Sequence, residues 1–91
     1  MAKATIFYLT NCPYCRNAQR AVRELQAEDP ACAALELEWI EESQQPALAE
    51  QYDYYYVPSV FAGQDKLYEC SPAEDFAAIK ANLRAAFARL L

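Results

Sequence analysis

The stretch ATIFYLTNCPYCRNAQRAVRELQAE, residues 4–28, decides the fold. Its first part, residues 4–9, is nearly all apolar and rich in residues that favour strands, which indicates a central strand covered on both faces. A short turn and a cysteine follow, and then a proline stands where the first helical residue needs no backbone N–H. We therefore predict a strand over residues 4–9 and a helix from about Pro13 to Glu28.

The predicted helix has one apolar face and one basic face. Its apolar residues recur at spacings of three, four and three, as expected for one buried side of a helix. They are Cys15, Ala18, Val22 and Leu25. The basic face carries Arg16, Arg20 and Arg23, and either steers acidic substrates or a reductase, or is an ordinary solvated face. The helix should stop before the Asp29-Pro30 pair, because a residue that precedes proline disfavours the helical conformation.

After this helix, the sequence predicts three more strands. Residues 35–39, Leu-Glu-Leu-Glu-Trp, alternate strictly, which is typical of a strand with one buried face. Two strands that flank a long helix indicate a right-handed βαβ unit with a parallel pair. Ser59–Ala62 and Lys66–Glu69 are short strand-like runs on either side of Gly63, which predicts a hairpin.

Two further helices complete the predicted fold. Pro46 opens a short helix through roughly Tyr52, and residues 71–74, Ser-Pro-Ala-Glu, match a capping box that opens the last helix. The last helix is predicted to bury Phe76, Ile79, Leu83, Phe87 and Leu90. The element order is βαβαββα, so we expect residues 1–91 to form one α/β domain, in which a four-stranded mixed sheet carries helices on both faces.

The charge balance argues against several classes of partner. The net charge is −5, and residues 1–23 carry four basic residues but no acidic one. An acidic protein repels phosphate backbones, so we expect no nucleic-acid partner. No apolar run approaches the ~20 residues that a membrane span needs, and no cleavage-site pattern follows Met1. We expect a cytoplasmic monomer without a membrane partner.

Cys12 and Cys15 bracket the start of the predicted helix. Disulfide exchange proceeds through a thiolate, and the free N–H groups and dipole of a helix N-terminus favour negative charge there. Cys15 heads the buried face whereas Cys12 precedes the helix, so we predict Cys12 as the exposed nucleophile and Cys15 as the resolving thiol. Arg16 adds a nearby positive charge. The pair therefore indicates a dithiol oxidoreductase, in which Cys12 attacks a substrate disulfide and Cys15 then releases the product.

The C-x-x-C spacing also occurs in metal sites. Zinc takes four ligands, and because the chain has no histidine, only Cys32 and Cys70 remain to complete the set. A zinc or iron–sulfur module is therefore one alternative function, and a redox-inactive interaction domain is another. We expect no bound metal.

Two motifs resemble those of glutaredoxins. Residues 12–15, Cys-Pro-Tyr-Cys, resemble the family's active-site motif, and residues 56–61, Tyr-Val-Pro-Ser-Val-Phe, resemble its threonine-valine-proline segment. The βαβαββα order is also the glutaredoxin order, so the resemblance covers most of the chain. It implies a thioredoxin-like fold, reduction of protein or glutathione-mixed disulfides, and a cis Pro58 beside the redox motif, where Val57 pairs with the substrate main chain. We predict as substrate-binding residues Pro13, Tyr14, Arg16, Val57, Pro58 and Ser71.

The chain departs from the glutaredoxin pattern where that family binds glutathione. The family often carries a lysine just ahead of the first cysteine, to meet a glutathione carboxylate, whereas Thr10 and Asn11 stand there in this chain. Residues 68–69, Tyr-Glu, replace a glycine pair, and Ser71 falls near an aspartate that holds the glutathione amino group. We expect no bound cofactor and weak glutathione kinetics, with either glutathione or a thioredoxin-reductase-type enzyme as the reductant.

Four tyrosines and two further cysteines have two interpretations each. Tyr52, Tyr54, Tyr55 and Tyr56 either form an aromatic rim that grips a peptide or pack their rings in the core, and we favour packing for at least two. Cys70 lies where some glutaredoxins carry another cysteine, and is either redox-linked or a small apolar filler. We expect no redox role for Cys32.

Overall fold

The computed structural model describes residues 2–91 and contains four strands and four helices over that range. In chain order the elements are β1 (Lys3–Tyr8), α1 (Pro13–Glu28), α2 (Pro30–Ala33), β2 (Glu36–Glu41), α3 (Pro46–Ala49), β3 (Ser59–Ala62), β4 (Asp65–Glu69) and α4 (Phe76–Ala88). The predicted order is confirmed with one addition, the single-turn helix α2. Asp29 explains that addition, because it ends α1 and its side chain then accepts from the Ala31 N–H at 2.9 Å as the N-cap of α2.

The four strands form one mixed sheet in the order β2-β1-β3-β4. β1 and β2 are parallel, from the pair Lys3 and Glu36 to the pair Tyr8 and Glu41. β3 is antiparallel to both β1 and β4, and a register shift interrupts its pairing with β4 after Val60. The parallel βαβ unit and the β3–β4 hairpin predicted from the sequence are therefore confirmed.

One face of the sheet packs against α1 and α4. The buried residues of this core are alternate residues of β1, Val60 of β3, and the predicted apolar faces of the two helices. They include Ala4, Ile6, Ala18, Val22, Leu25, Val60, Ile79, Leu83 and Phe87. Leu37 and Trp39 of β2 pack against the same core, as their alternation predicts. Phe76 and Leu90 are only partly buried, because Leu90 lies beyond the end of α4 and Phe76 at its start.

The opposite face is covered by α3 and by two of the four tyrosines. Phe7, Ile40 and Phe61 form its buried centre, and Leu48 of α3 packs against them. The ring of Tyr52 lies 4.7 Å from the ring of Phe7 and 4.9 Å from that of Phe61, centroid to centroid. The Tyr54 ring stacks on Phe7 at 5.0 Å. Helices thus lie on both faces of the sheet.

Two predicted helix boundaries are wrong. α3 ends at Ala49 rather than near Tyr52, because Gln51 and Tyr52 bond to carbonyls three residues back and tighten the last turn. α4 begins at Phe76 rather than at Pro72. Ala73 adopts a positive φ of 74°, which no helix accommodates, so residues 71–75 form a turn instead.

The helices over residues 2–91 include none with the length and apolar character required to cross a bilayer.

Candidate functional site

Cys12 caps the N-terminus of α1. Its extended backbone conformation, φ −99° and ψ 120°, positions the thiol over the first turn, where the Cys15 N–H donates to Cys12 Sγ at 3.4 Å. Pro13 occupies the first helical position and lacks the N–H that would remain unpaired there. The Cys12 side chain is partly exposed and lies at the N-terminus of the 16-residue helix.

Cys15 lies one turn deeper and is 1% exposed. Its Sγ accepts the Leu9 N–H at 3.4 Å, which fixes the thiol against the end of β1. Burial raises the pKa of Cys15 to about 12; the hydrogen bond from the Leu9 N–H acts against this rise, and the neighbouring Cys12 and Cys70 groups add to it. Cys15 is therefore protonated at neutral pH, while Cys12 is the accessible sulfur of the pair.

The segment Val57–Pro58 lies directly beside Cys12. The Cys12 thiol donates weakly to the Val57 carbonyl at 3.9 Å, across 45 residues of sequence. The peptide bond between Val57 and Pro58 is cis, as the resemblance to glutaredoxins implies. Pro58 is buried, and its carbonyl accepts the Cys70 N–H at 2.9 Å. The structure thus brings together Cys12, Cys15, Val57 and Pro58.

Glu69 fixes the loop that leads into this segment. Its Oε2 accepts the backbone N–H groups of both Tyr55 and Tyr56 at 2.7 Å, and its Oε1 pairs with Lys66 Nζ at 2.8 Å. Lys66 also donates to the Asp53 carbonyl at 3.1 Å. Sequence reasoning misses this role, because Glu69 stands out in the sequence only as part of the Tyr-Glu pair that replaces a glycine pair of glutaredoxins. The side chain of Glu69, the last residue of β4, therefore fixes the conformation of the loop that precedes Val57.

Tyr14 contacts the turn before α4 rather than standing free in solvent. Its hydroxyl accepts the Ala73 N–H at 2.8 Å, and its ring packs against the core under α1 and α4. The same turn is bound by Glu74, which accepts from the Ser71 N–H and from the Tyr68 hydroxyl at 2.7 Å. Tyr14 thereby links the start of α1 to the turn that follows Cys70.

Arg16 and Ser71 are both exposed, at separate places around the cysteines. Arg16 lies on the first turn of α1, where its N–H donates to the Cys12 carbonyl at 3.0 Å. Ser71 belongs to the turn contacted by Tyr14. Of the other arginines on this helix, Arg20 stacks over the Phe76 ring at 3.7 Å and lies 3.9 Å from Glu24. Part of the basic face is thus engaged within the molecule.

Cys70 and Cys32 are buried thiols. Cys70 is 2% exposed and Cys32 is 3% exposed. Burial raises the pKa of both, with an added contribution from Asp29 at Cys32 and from Glu74 and Cys12 at Cys70. Cys70 lies close to Cys12 and Cys15, whereas Cys32 lies in α2 at the far end of α1.

A cleft of about 290 Å³ adjoins Cys12. It is lined by Leu9, Thr10, Asn11, Cys12, Glu41 and Ser43. Glu41, the last residue of β2, accepts from the N–H and hydroxyl of Thr10 at 3.0 and 2.7 Å, and from those of Ser43 at 2.7 and 2.6 Å. The donors on Ser43 and Thr10 lower the pKa of Glu41 to about 2, so this carboxylate is ionised at neutral pH.

Comparison of the chain with protein-family models found no matching family, and comparison with curated proteins found no relative. Within residues 2–91, no group of three or more His, Cys, Asp or Glu side chains is placed to hold a metal ion.

Proposed function

We propose that this chain is a glutaredoxin-like thiol–disulfide oxidoreductase with a thioredoxin-like fold. The observation that carries the proposal is the contrast within one helical turn: Cys12 is accessible and caps α1, while Cys15 is buried beneath it and protonated. In a pair so arranged, the accessible thiol can attack a substrate disulfide and the buried thiol can then resolve the mixed disulfide. The substrates would be protein disulfides or glutathione-mixed disulfides, in a reducing compartment such as the cytoplasm.

The reaction follows from the two positions. The Cys12 thiolate attacks one sulfur of the substrate disulfide, a bond forms between Cys12 Sγ and that sulfur, and the other sulfur leaves as a thiolate that takes a proton from water. Cys15 then loses its proton and attacks Cys12 Sγ, which releases the reduced product and leaves a Cys12–Cys15 disulfide. An external dithiol, or two molecules of glutathione, returns the pair to the reduced form.

The sheet supports the thioredoxin-like assignment. A parallel β1–α1–β2 unit followed by an antiparallel β3–β4 hairpin, in the strand order β2-β1-β3-β4, agrees with the topology that the resemblance to glutaredoxins implies. The Cys12 contact with the Val57 carbonyl also agrees with it, because the backbone at this point pairs with the substrate in that family. Val57 and Pro58 are therefore the substrate-binding residues we favour.

The surroundings of Cys12 favour a reductant other than glutathione. Thr10 and Asn11 supply no positive charge for a glutathione carboxylate, and Ser71 supplies no carboxylate for its amino group. We expect reduction of a protein disulfide by a thioredoxin-reductase-type donor to be faster than glutathione-dependent turnover.

Single substitutions of the cysteines test the proposal. Cys12→Ser should abolish reduction of a protein disulfide, whereas Cys15→Ser should form a covalent mixed disulfide that mass spectrometry detects at Cys12. Cys32→Ser is the matched control, since that thiol is equally buried but lies away from the pair. Turnover in Cys12→Ser would contradict the proposal. Zinc or iron bound stoichiometrically to purified, reduced protein would favour the metal-binding alternative instead.

A further inference from the structure

We infer that the cleft beside Cys12 selects disulfides that carry a positively charged group next to the sulfur, and disfavours anionic ones such as glutathione disulfide. The inference rests on the proposed function, since it names the class of substrate that the same thiol attacks. It depends on Glu41, which no motif in the sequence singles out. The required group is an ammonium close to the disulfide, supplied either by a small aminothiol or by a basic residue of a polypeptide.

Glu41 is the one charged residue among the six that line the cleft. Its carboxylate is fixed rather than free, because both oxygens accept two hydrogen bonds, from Thr10 on one side and from Ser43 on the other. These donors also keep it ionised across the physiological pH range. A fixed negative charge at the wall of a concave site attracts cations and repels anions more strongly than a mobile surface charge does.

The other charges near the site do not offset Glu41 within the cleft. Arg16 is exposed on α1 and is not among the lining residues. Lys66 is paired with Glu69 at 2.8 Å and is not a lining residue either. Glu42, next along the chain, accepts from the Tyr54 hydroxyl at 2.7 Å and adds negative charge to the same end of β2. The local charge on the β2 side of Cys12 is thus negative.

The selection acts on the first covalent step. The Cys12 thiolate forms a bond to the nearer substrate sulfur, the substrate S–S bond breaks, and the departing thiolate is protonated by water. A cationic group on either half of the substrate lies near Glu41 as the bond forms, and an anionic group is repelled there. The rate constant of this step should therefore be highest for a cationic disulfide, lower for a neutral one and lowest for an anionic one.

The test measures this single step in full-length Cys15→Ser protein, in which the reaction stops at the mixed disulfide. The probes are three disulfides of similar size: cystamine, bis(2-hydroxyethyl) disulfide and 3,3′-dithiodipropionate. Two short disulfide-bonded peptides, with lysine or glutamate beside the cysteine, separate a polypeptide source from a small aminothiol. Alkylation of Cys12 by iodoacetamide and iodoacetate reports the charge of the cleft without disulfide chemistry. 2-Mercaptoethanol gives the intrinsic reactivity of each reagent.

Three further substitutions isolate Glu41. Glu41→Gln removes the charge, Ser43→Ala removes a donor to Glu41 but keeps the charge, and Glu36→Gln makes the same net charge change at the other end of β2. We expect Glu41→Gln to lower the ratio of the cationic to the anionic rate constant about fivefold, and the ratio to change much less in Ser43→Ala and Glu36→Gln. Added salt should weaken the preference.

The outcomes are distinguishable. A preference for cationic disulfides that disappears in Glu41→Gln supports the inference. Whether cystamine or the lysine peptide reacts faster then shows whether a small aminothiol or a polypeptide supplies the ammonium group. Equal rates for the three small disulfides, an anionic preference, or a ratio that Glu41→Gln leaves unchanged overturns the inference while the proposed function stands. If alkylation shows the charge preference but no disulfide reacts with Cys12, the proposed function fails and the inference about its substrate fails with it.

Discussion

Two cysteines separated by two residues have very different surroundings in this chain. The sequence was enough to predict that contrast, because Cys15 begins a run of apolar residues at helical spacing and Cys12 precedes the helix. What the sequence could not supply is the degree of burial at Cys15 or the hydrogen bond it accepts from Leu9, since both depend on how the end of β1 packs over α1.

Alkylation should therefore modify one cysteine of the folded protein. Iodoacetamide reacts with thiolates, and burial raises the pKa of Cys15 to about 12 and raises the pKa of Cys32 and Cys70 as well. At pH 8 we expect one fast adduct, at Cys12, located by peptide mass spectrometry. In denaturant all four thiols should react. Equally fast labelling of Cys15 in the folded protein would contradict the geometry described above.

The two glutamates around the site illustrate what sequence reasoning misses at this scale. Glu41 bonds to Thr10 across 31 residues, and Glu69 bonds to Tyr55 across 14. Neither glutamate belongs to a recognisable motif, and both lie at strand ends where charged residues are common. Only the register of the sheet brings each carboxylate to its backbone donors, so no spacing in the sequence predicts the contact.

At the scale of elements, the start of α4 differs from the start that the local sequence pattern predicts. Residues 71–74 match a capping box, and Glu74 does accept from the Ser71 N–H as such a box requires. The helix nevertheless begins after Asp75, whose side chain accepts the Ala78 N–H at 2.8 Å. The hydrogen bond from Ala73 to Tyr14, on a distant helix, stabilises the intervening turn, and a local pattern cannot encode it.

Substitution of the two candidate caps distinguishes these alternatives. Asp75→Ala should lower the free energy of unfolding by about 1 kcal/mol, the usual effect of removing an N-cap side chain. Ser71→Ala should change it by less than about 0.5 kcal/mol, because the exposed hydroxyl of Ser71 does not cap α4. Urea unfolding followed by circular dichroism measures both free energies. A larger effect of Ser71→Ala than of Asp75→Ala would indicate that the capping box, and not Asp75, begins α4.

The loop ahead of Val57 should depend on the charge of Glu69. Partial burial raises the pKa of Glu69, but its bonds with Lys66 and with the Tyr56 and Tyr55 N–H groups outweigh that effect and lower the pKa overall. Glu69→Gln should cost about 1–2 kcal/mol of unfolding free energy at pH 7. Glu38→Gln, at an exposed glutamate 3.5 Å from Lys3, should cost less than about 0.5 kcal/mol.

The pH dependence fixes the sign of the Glu69 effect. A carboxyl whose pKa is lowered by folding stabilises the native state above its ordinary value of 4.5, and loses that contribution as the pH falls through the lower folded value. The difference between Glu69→Gln and the unaltered protein should therefore be full at pH 7 and shrink below about pH 4.5. A difference that stays constant down to pH 3 would exclude an ionic origin.

At the scale of the whole molecule, the sequence predicted the arrangement better than the boundaries. The alternation in residues 35–39 and the long helix after residues 4–9 determine a parallel pair, and the run around Gly63 determines a hairpin, so the mixed sheet follows. The residues that cover the second face of the sheet were harder to predict from the sequence. Tyr52 and Tyr54 pack there on Phe7, while Tyr55 and Tyr56 remain 89% and 53% exposed, and four tyrosines in five positions carry no periodicity that separates them.

The central claim is that Cys12 and Cys15 form one reversible redox unit. In the most direct measurement, the folded protein is equilibrated in buffers with a graded ratio of reduced to oxidised dithiothreitol. The reaction is quenched with acid, the unfolded protein is alkylated, and the modified cysteines are counted by mass spectrometry. We expect a two-electron transition in which Cys12 and Cys15 are lost to labelling together, while Cys32 and Cys70 remain available after unfolding. Persistence of four free thiols under the most oxidising buffer, or a disulfide that pairs Cys12 with another cysteine, would contradict the account.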